Sequence, residues 1–159
     1  MSFIAVCGGG GKTTICKKYP TLFLDIDDFI WRFKEYNESL EQAVNDVNHQ
    51  NIGIIYEKIM KLHRDKLDKN RIILGHHPKN AEILGLRNLC SIKPSRELHL
   101  ENINTRKQPL KDIAIRCWNE LDDALVYNSH EEFEKILMNM WGEHSKTTAH
   151  GRNGASSLI

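Results

Sequence analysis

The stretch SFIAVCGGGGKTT, residues 2–14, decides the fold of this chain. Residues 2–7 form a short, largely apolar run bounded by glycine, which predicts a buried central strand. The four consecutive glycines at residues 8–11 exclude regular structure, because glycine loses more conformational freedom on folding than any other residue. Residues 12–18 then predict a helix of about two turns that ends before Pro20.

A strand, a glycine loop and a helix N-terminus in this order predict a phosphate-binding loop. Glycine lets successive backbone N–H groups point inward, and the helix N-terminus adds a partial positive charge. Lys12 is placed to reach the β and γ phosphates of a nucleoside triphosphate, and the Thr13 hydroxyl is placed to ligate Mg²⁺. We therefore predict binding of ATP and Mg²⁺ by Gly8, Gly9, Gly10, Gly11, Lys12, Thr13 and Thr14.

The loop departs from the usual spacing at one position. The pattern G-x-x-x-x-G-K-[ST] places its first glycine six residues before the lysine, where this chain has Val6. Either the loop starts differently or Gly8 makes the turn instead, so the sequence leaves the path of the loop open.

The stretch TLFLDIDDFI, residues 21–30, predicts a second strand over residues 22–26 that ends among acids. Open α/β sheets bind ligands at the carboxyl ends of their strands. We expect Asp25 to hold Mg²⁺ through water, and Asp27 to orient or deprotonate an acceptor hydroxyl. Asp28 is expected to cap a helix that starts near Phe29. The alternative is that all three acids are solvated turn residues.

Strands alternate with helices along the rest of the chain. Residues 39–47 and 52–67 have the helical apolar period, and Asn51 is expected to cap the second of these helices. Further strands are predicted over residues 71–75 and 89–92, and further helices over residues 81–85, 96–104, 110–125 and 131–140, with Ser95 as a cap. This alternation predicts an α/β fold with three layers, α/β/α, around a central parallel sheet.

The run GGGGKTT followed by LFLDIDDFI resembles small P-loop kinases of the nucleoside-monophosphate and shikimate/gluconate kinase type. Those kinases place D-x-D at the end of the second strand, where Asp25-Ile26-Asp27 stands here. The resemblance implies a P-loop NTPase fold of the kinase type, a metal-side role for Asp25 and an acceptor-side role for Asp27. It also implies a kinase-like domain over residues 1–144, with a helical acceptor region at about 29–70 and a mobile lid at about 95–110.

A second stretch, IILGHHPKNAEILGLRNLCSIKPSRELHLENINTR at residues 72–106, is similar to small nucleotide-kinase-like proteins of phages and other viruses. In those proteins a third strand ends in a histidine, and a fourth strand ends in Pro-Ser or Pro-Asp before a helix that carries arginine. Residues 145–159 are rich in small and polar residues, and we expect them to form a flexible tail.

Four more side chains are candidates for the site. His76 ends the third strand and is expected to contact the acceptor or a metal-bound water. Arg96 and Arg106 bracket the helix after the fourth strand, where lid arginines would neutralise the transferring phosphoryl group. Arg32 is expected to grip an anionic acceptor. The alternative for the arginines is a solvated basic face, and for His76 a hydrogen-bonded loop residue.

These features predict an ATP-dependent phosphotransferase that acts on a nucleoside monophosphate or a similar small acceptor. Within the same class, the alternative acceptor is a polynucleotide end or a DNA base. A P-loop ATPase or switch, or a nucleotide-binding module without catalysis, is the alternative from another class. The third strand ends in Gly75-His76 without an acid, and the chain has no Asn-Lys-x-Asp run, which disfavours a switch.

Composition narrows the class of protein further. The chain of 159 residues suits one domain, and its net charge of +1 favours a small molecule over nucleic acid as partner. Its four cysteines lack a CxxC pair, which indicates reduced thiols in a cytoplasmic protein. No apolar run is long enough to span a membrane, so no membrane partner is expected. The oligomeric state is left open.

Overall fold

The computed structural model describes residues 1–68 and 70–156. The strands are β1 (Ser2–Val6), β2 (Phe23–Asp25), β3 (Ile72–Gly75), β4 (Arg87–Pro94) and β5 (Leu125–Tyr127). The helices are α1 (Lys12–Lys18), α2 (Ile26–Ile30), α3 (Asn37–Asn45), α4 (His49–His63), α5 (Pro78–Leu84), α6 (Arg96–Ile103), α7 (Gln108–Glu120) and α8 (His130–Ser156). Two short 3-10 turns, Lys34–Tyr36 and Arg64–Lys66, flank the α3–α4 pair.

All five strands are parallel and lie in the order β2-β3-β1-β4-β5. Strand β1 is buried along its whole length, because it has a neighbour on each side and a helical layer on each face. Its side chains alternate between two cores: Phe3 and Ala5 pack with α2, α3, α4 and α5, whereas Ile4 and Val6 pack with α1 and α8. This architecture confirms the predicted three-layer α/β/α fold.

Strand β3 lies between β1 and β2. The loop after β1 and the acids after β2 are therefore separated by one strand, and His76 after β3 stands between them. Because all the strands are parallel, their carboxyl ends meet at one edge of the sheet. The phosphate loop, the acids and His76 consequently face one another.

Several predicted boundaries differ from the structure. Asp25, not Asp28, caps α2: its Oδ1 accepts a hydrogen bond from the Asp27 N–H at 3.0 Å. Asn48, not Asn51, caps α4, and its side chain accepts from the Asn51 N–H at 3.1 Å. In both cases the helix begins about three residues earlier than predicted, and the side chain just before it accepts a hydrogen bond from a free N–H group of the first turn.

The strand β5 was absent from the predicted elements. Residues 110–125 were predicted as one helix, whereas α7 ends at Glu120 and a turn leads into β5. Leu121 at the end of α7 is extended, and Asp123 in the connection has a left-handed φ of 52°, so the helix does not continue to residue 125. The three residues of β5 are too few for a periodic pattern, which explains the omission.

Helix α8 extends beyond its predicted end. The predicted tail of residues 145–159 begins inside this helix, whose backbone remains helical to Ser156. Residues 157–159 lie outside the described part of the chain, and the mobility of the tail stays a prediction. All four cysteines are free thiols, and among the residues described no helix is both long and apolar enough to cross a bilayer.

Candidate active site

The glycine loop turns directly at the end of β1. The Gly10 N–H donates to the Cys7 carbonyl at 3.0 Å, and Gly9 and Gly11 adopt left-handed φ angles of 80° and 95°. Val6 stays in the strand, and a Cβ on Gly10 would lie 2.6 Å from its Cγ1. The missing glycine at position six is therefore replaced by a tight turn over residues 7–10, which resolves the path that the sequence left open.

Three side chains from outside the loop bind three consecutive loop carbonyls. His99 Nε2 donates to the Gly8 carbonyl at 2.8 Å, and Asn102 Nδ2 donates to the Gly9 carbonyl at 2.9 Å. The Tyr127 hydroxyl donates to the Gly10 carbonyl. Burial lowers the pKa of His99, whereas its hydrogen bond to the Gly8 carbonyl acts in the opposite direction. We call His99, Asn102 and Tyr127 the loop clamp.

The loop clamp prepares the loop for an anion. Because the carbonyls of residues 8–10 are occupied, the peptide planes of the loop are held in place before any ligand binds. The clamp also ties α6 to the loop, since His99 and Asn102 both belong to that helix. The body of α6 is therefore anchored to the loop, whereas among the residues described no side chain after Ile103 in the predicted lid makes such a bond.

We expect Asn102→Ala to weaken ATP binding about five- to tenfold, because one neutral hydrogen bond is worth about 1 kcal/mol. Isothermal titration calorimetry of the variant measures this change. The matched control is Asn104→Ala, since Asn104 is exposed two residues further on and lines neither cavity described below. Equal ATP affinities of the two variants would contradict the role of the clamp.

Lys12, Thr13 and Asp25 lie together beside the glycine loop, at the place where the sequence predicts a polyphosphate. The Lys12 side chain is only 5% exposed, and its Nζ donates to the Val6 carbonyl at 3.4 Å. Thr13 Oγ1 donates to Asp25 Oδ2 at 3.3 Å. Burial raises the pKa of the Asp25 carboxyl, and the neighbouring Asp27 raises it further. A cation bound at this corner would compensate the buried carboxylate.

The donor set at this corner suits Mg²⁺. A hydroxyl and a carboxylate oxygen are hard ligands, and Mg²⁺ usually takes one or two protein oxygens and completes its shell with water and phosphate. Among the side chains that the structure describes, no three His, Cys, Asp or Glu converge into a metal site of their own. A cation held by Thr13 and Asp25 would complete its shell with water or with phosphate oxygens.

Asp27, His76 and Tyr56 form a hydrogen-bonded group beside Lys12. His76 Nε2 lies 2.7 Å from Asp27 Oδ1 and 2.9 Å from Oδ2, and the Tyr56 hydroxyl donates to Oδ1 at 2.8 Å. His76 Nδ1 lies 3.4 Å from Lys12 Nζ. Although burial opposes the charged ring, the Asp27 carboxylate raises the pKa of His76 to about 9. Burial alone would raise the pKa of Asp27, but the neighbouring His76 outweighs this effect and lowers it.

The pH dependence of stability follows from this pair. The pKa of His76 is raised from its ordinary value of 6.5 to about 9, so the charged ring stabilises the fold fully at pH values below 6.5. This contribution is lost as the pH rises through about 9. Because the pKa of Asp27 is lowered from its ordinary value of 3.8, this carboxylate also stabilises the fold at pH values above 3.8, and that contribution is lost as the pH falls further. We therefore expect His76→Asn to lower Tm most near pH 5.5 and least near pH 10, measured by thermal unfolding in EDTA.

A suitable control for this experiment is His77→Asn. His77 is exposed and its Nδ1 accepts from the Lys79 N–H at 3.1 Å, a capping bond that asparagine can also make. The effect of this substitution on Tm should be small at each pH, because asparagine can keep the capping bond. A pH-independent effect of His76→Asn would show that the ion pair does not contribute.

Two cavities meet at this group. The smaller, of about 220 Å³, is the loop cavity, and it is lined by the phosphate loop together with Asn102, Arg106 and His130. The larger, of about 860 Å³, is the cleft, and it lies between α3, α4, α5 and α7. Gly8, Asp27, His76 and Arg106 line both cavities. A ligand in each cavity would therefore meet the other at these residues.

The structure brings most of the predicted site residues to this place. Lys12, Thr13, Thr14, Asp27, His76 and Arg106 all line the loop cavity, and Asp25 contacts Thr13. Arg32 and Arg96 are exposed and line neither cavity. Arg32 follows the end of α2, where Trp31 turns into the cleft instead, and Arg96 lies one turn before the part of α6 that contacts the loop.

Five residues of the site were missing from the prediction. They are Tyr56, His99, Asn102, Tyr127 and His130. Tyr56 has a usable signal, since it lies one turn after Ile52 on the apolar face of a predicted helix. The hydrogen bonds of the loop clamp connect residues more than 90 positions apart, so no local sequence pattern predicts them.

Solved structures share this fold at low sequence identity. The chain is similar to shikimate kinase from Bacteroides thetaiotaomicron, with a TM-score of 0.55 and 13% identity over 91% of this chain and 97% of that one. It is also similar to shikimate kinase from Acinetobacter baumannii in complex with shikimate, with a TM-score of 0.52 and 14% identity over 92% and 93%. No family model and no curated protein sequence matches the chain.

These likenesses establish the P-loop NTPase fold, as predicted, because they span nearly the whole of each chain. At such identities they say nothing of the substrate. The similarity to viral proteins stays a prediction.

Proposed function

We propose that this protein is an ATP-dependent phosphotransferase that moves the γ-phosphoryl group to a small acceptor in the cleft. The observation that supports this most is the shared wall of the two cavities, since Asp27, His76 and Arg106 line both of them. An ATPase needs only the loop cavity and room for water. A second cavity of about 860 Å³ that opens on the same group favours transfer to a bound acceptor.

Each residue has a role that follows from its position. The N–H groups of residues 8–14 and the Lys12 ammonium bind the polyphosphate, with the loop carbonyls held by the loop clamp. Thr13 and Asp25 would hold Mg²⁺, which supplies neutralisation of the phosphate charge when bound. Arg106 is at the shared wall and would neutralise the transferring group.

The chemical step is an in-line displacement. An oxygen of the acceptor forms a bond to the γ phosphorus while the bond from that phosphorus to the β–γ bridging oxygen breaks, and ADP leaves. A hydroxyl acceptor loses its proton through Asp27. Because His76 lowers the pKa of Asp27, this carboxylate orients the hydroxyl and passes the proton on to water instead of keeping it.

For the acceptor we propose a nucleoside monophosphate or a similar small molecule. The cleft lies between helices rather than along an open basic surface, and the chain has a net charge of only +1. Both features favour a small molecule over a polynucleotide end, since binding of nucleic acid relies on many cationic contacts to phosphates.

Transfer of label from [γ-³²P]ATP to a panel of acceptors tests this function. Labelled acceptor would support the proposal, labelled free phosphate alone would indicate an ATPase, and ATP binding without turnover would indicate a binding module. Nucleosides, nucleoside monophosphates, hydroxy acids and oligonucleotide ends belong in the panel.

Asp27→Asn should lower kcat about a hundredfold and change the Kd for ATP much less, because the role proposed for Asp27 is to orient and deprotonate the acceptor hydroxyl during transfer. Steady-state kinetics and calorimetry separate the two effects. The matched control is Asp28→Asn, an adjacent and exposed carboxylate that lines neither cavity. If Asp27→Asn behaves like the control, Asp27 has no part in the transfer.

A further inference from the structure

We propose that Tyr56 is a positioning residue of the phosphoryl transfer. Together with His76, its hydroxyl holds the Asp27 carboxylate so that Oδ2 is the oxygen left to accept a hydrogen bond from the acceptor hydroxyl. This role rests on the proposed phosphotransferase function, and it assigns the contact with the acceptor to one oxygen of Asp27. It follows from the hydrogen bonds around Asp27, from the direction of the Tyr56 proton and from the packing of α4.

The two carboxylate oxygens of Asp27 have different surroundings. Oδ1 lies 2.8 Å from the Tyr56 hydroxyl and 2.7 Å from His76 Nε2, so two donors occupy its two lone pairs. Oδ2 has only the contact with the same His76 nitrogen, at 2.9 Å. Among the hydrogen bonds of the described residues, no other group donates to this carboxylate. The lone pair that stays open therefore belongs to Oδ2.

The Tyr56 hydroxyl directs its proton to Asp27. An ionised carboxylate can only accept, and on the other side the phenolic oxygen is hydrogen-bonded by the Trp31 side chain, whose indole N–H can only donate. Burial raises the pKa of Tyr56 well above its ordinary value of 10, and the Asp27 carboxylate raises it further. The phenol consequently stays protonated, and it orients Asp27 without adding a charge to the site.

The packing of α4 makes the Tyr56 hydroxyl a fixed point. Its helical neighbours Ile55 and Ile59 are buried in the same core that covers one face of β1. Tyr56 itself lines the cleft, whereas Asp27 belongs to α2 and lines both cavities. The hydrogen bond between them thus ties the carboxylate to a helix that is anchored independently of α2.

A fixed carboxylate would help the transfer more than the binding of either ligand. In-line displacement requires the acceptor oxygen, the γ phosphorus and the bridging oxygen to be aligned. Without the Tyr56 hydroxyl, Oδ1 would regain an open lone pair, and the carboxylate would be held by His76 alone. The acceptor hydroxyl could then bind in more than one position, of which only some are aligned for attack.

Tyr56→Phe tests this role, because it removes the hydroxyl and keeps the ring. With the best acceptor of the labelled panel, we expect kcat to fall about tenfold and both KM values to change less than about twofold. Tyr36→Phe is the matched control, since Tyr36 is also half-buried but lines neither cavity. A kcat for Tyr56→Phe equal to that of the control, or a loss confined to KM or Tm, would overturn the role.

A double-mutant cycle shows whether Tyr56 acts through Asp27. The variant carrying both Tyr56→Phe and Asp27→Asn should have nearly the kcat of Asp27→Asn alone, because the group that Tyr56 positions is already lost. Additive losses, of about a thousandfold in all, would mean that Tyr56 acts independently of Asp27 and would overturn the proposal.

The parent chain separates this proposal from the proposed function. If the parent transfers phosphoryl to an acceptor but Tyr56→Phe transfers at the same rate, only the role of Tyr56 is wrong. If the parent transfers to no acceptor of the panel, the phosphotransferase function is wrong and the role of Tyr56 is overturned with it.

Discussion

Replacing Lys12 by alanine should reduce phosphoryl transfer by about a thousandfold, the usual order for loss of a fixed charge at a developing anion. Lys12 is the most buried cation of the site, at 5% exposure, and lies between the loop and the Asp27–His76 pair. Its loss removes the positive charge that would stabilise the phosphoryl group during its transfer from ATP to the acceptor. Single-turnover kinetics at saturating ATP measure the effect on the chemical step.

The fold should survive this change. Lys12 makes two long contacts of 3.4 Å, to the Val6 carbonyl and to His76 Nδ1, and neither is a hydrogen bond between strands. Lys17→Ala is the matched control, since Lys17 is exposed on the same helix and should leave transfer unchanged. Transfer by the Lys12 variant at the rate of this control would remove the phosphate loop from the mechanism.

Replacing Gly9 by alanine should weaken ATP binding about thirtyfold. Gly9 has a φ of 80°, and a Cβ at this position would lie 2.4 Å from Ile103 Cγ2 and 3.3 Å from His99. A residue other than glycine in such a conformation costs about 1–3 kcal/mol. Because the loop clamp holds this conformation without a ligand, part of this cost lowers the stability of the fold. The rest weakens ATP binding, because the strained loop departs from the shape that would enclose the polyphosphate. Calorimetry with ATP and Mg²⁺ measures the loss.

The control for steric strain is Gly142→Ala. An added Cβ on Gly142 meets no atom within 4 Å, and the residue lies within α8, away from both cavities. Alanine is the better helix former, so this variant should bind ATP normally and be at least as stable as the parent chain. Normal ATP affinity in the Gly9 variant would mean that the loop does not need its left-handed residue.

The predicted elements that proved correct carry strong local signals. The apolar run of β1 and the glycines after it require a buried strand and a loop, and the capping of α6 by Ser95 was read from the residue type alone. The acids Asp25 and Asp27 were placed at the ligand edge because the carboxyl ends of parallel strands share one edge of the sheet. This topological rule needs no knowledge of side-chain contacts.

The predictions that differ from the structure concern the direction in which a side chain points and the residues that it reaches. Arg32 and Arg96 were chosen by charge and position in the chain, yet a helix can present such a side chain to solvent as easily as to a site. Asp28 was given the capping role that Asp25 performs, since both precede helical residues. A sequence shows which residue types suit a role, whereas the orientation of each helix decides which of them reaches it.

The sequence by itself determined the layered sheet, the phosphate loop and the edge where ligands meet, because these depend on apolar runs, glycines and strand direction. Tertiary structure alone decided that α6 and β5 hold the loop carbonyls, that Asp27 is shared between His76 and Tyr56, and that Arg106 faces both cavities. The reason is physical: periodicity and propensity act over a few neighbours, whereas these contacts form between residues that only the packing of the helices on the sheet brings within hydrogen-bond distance.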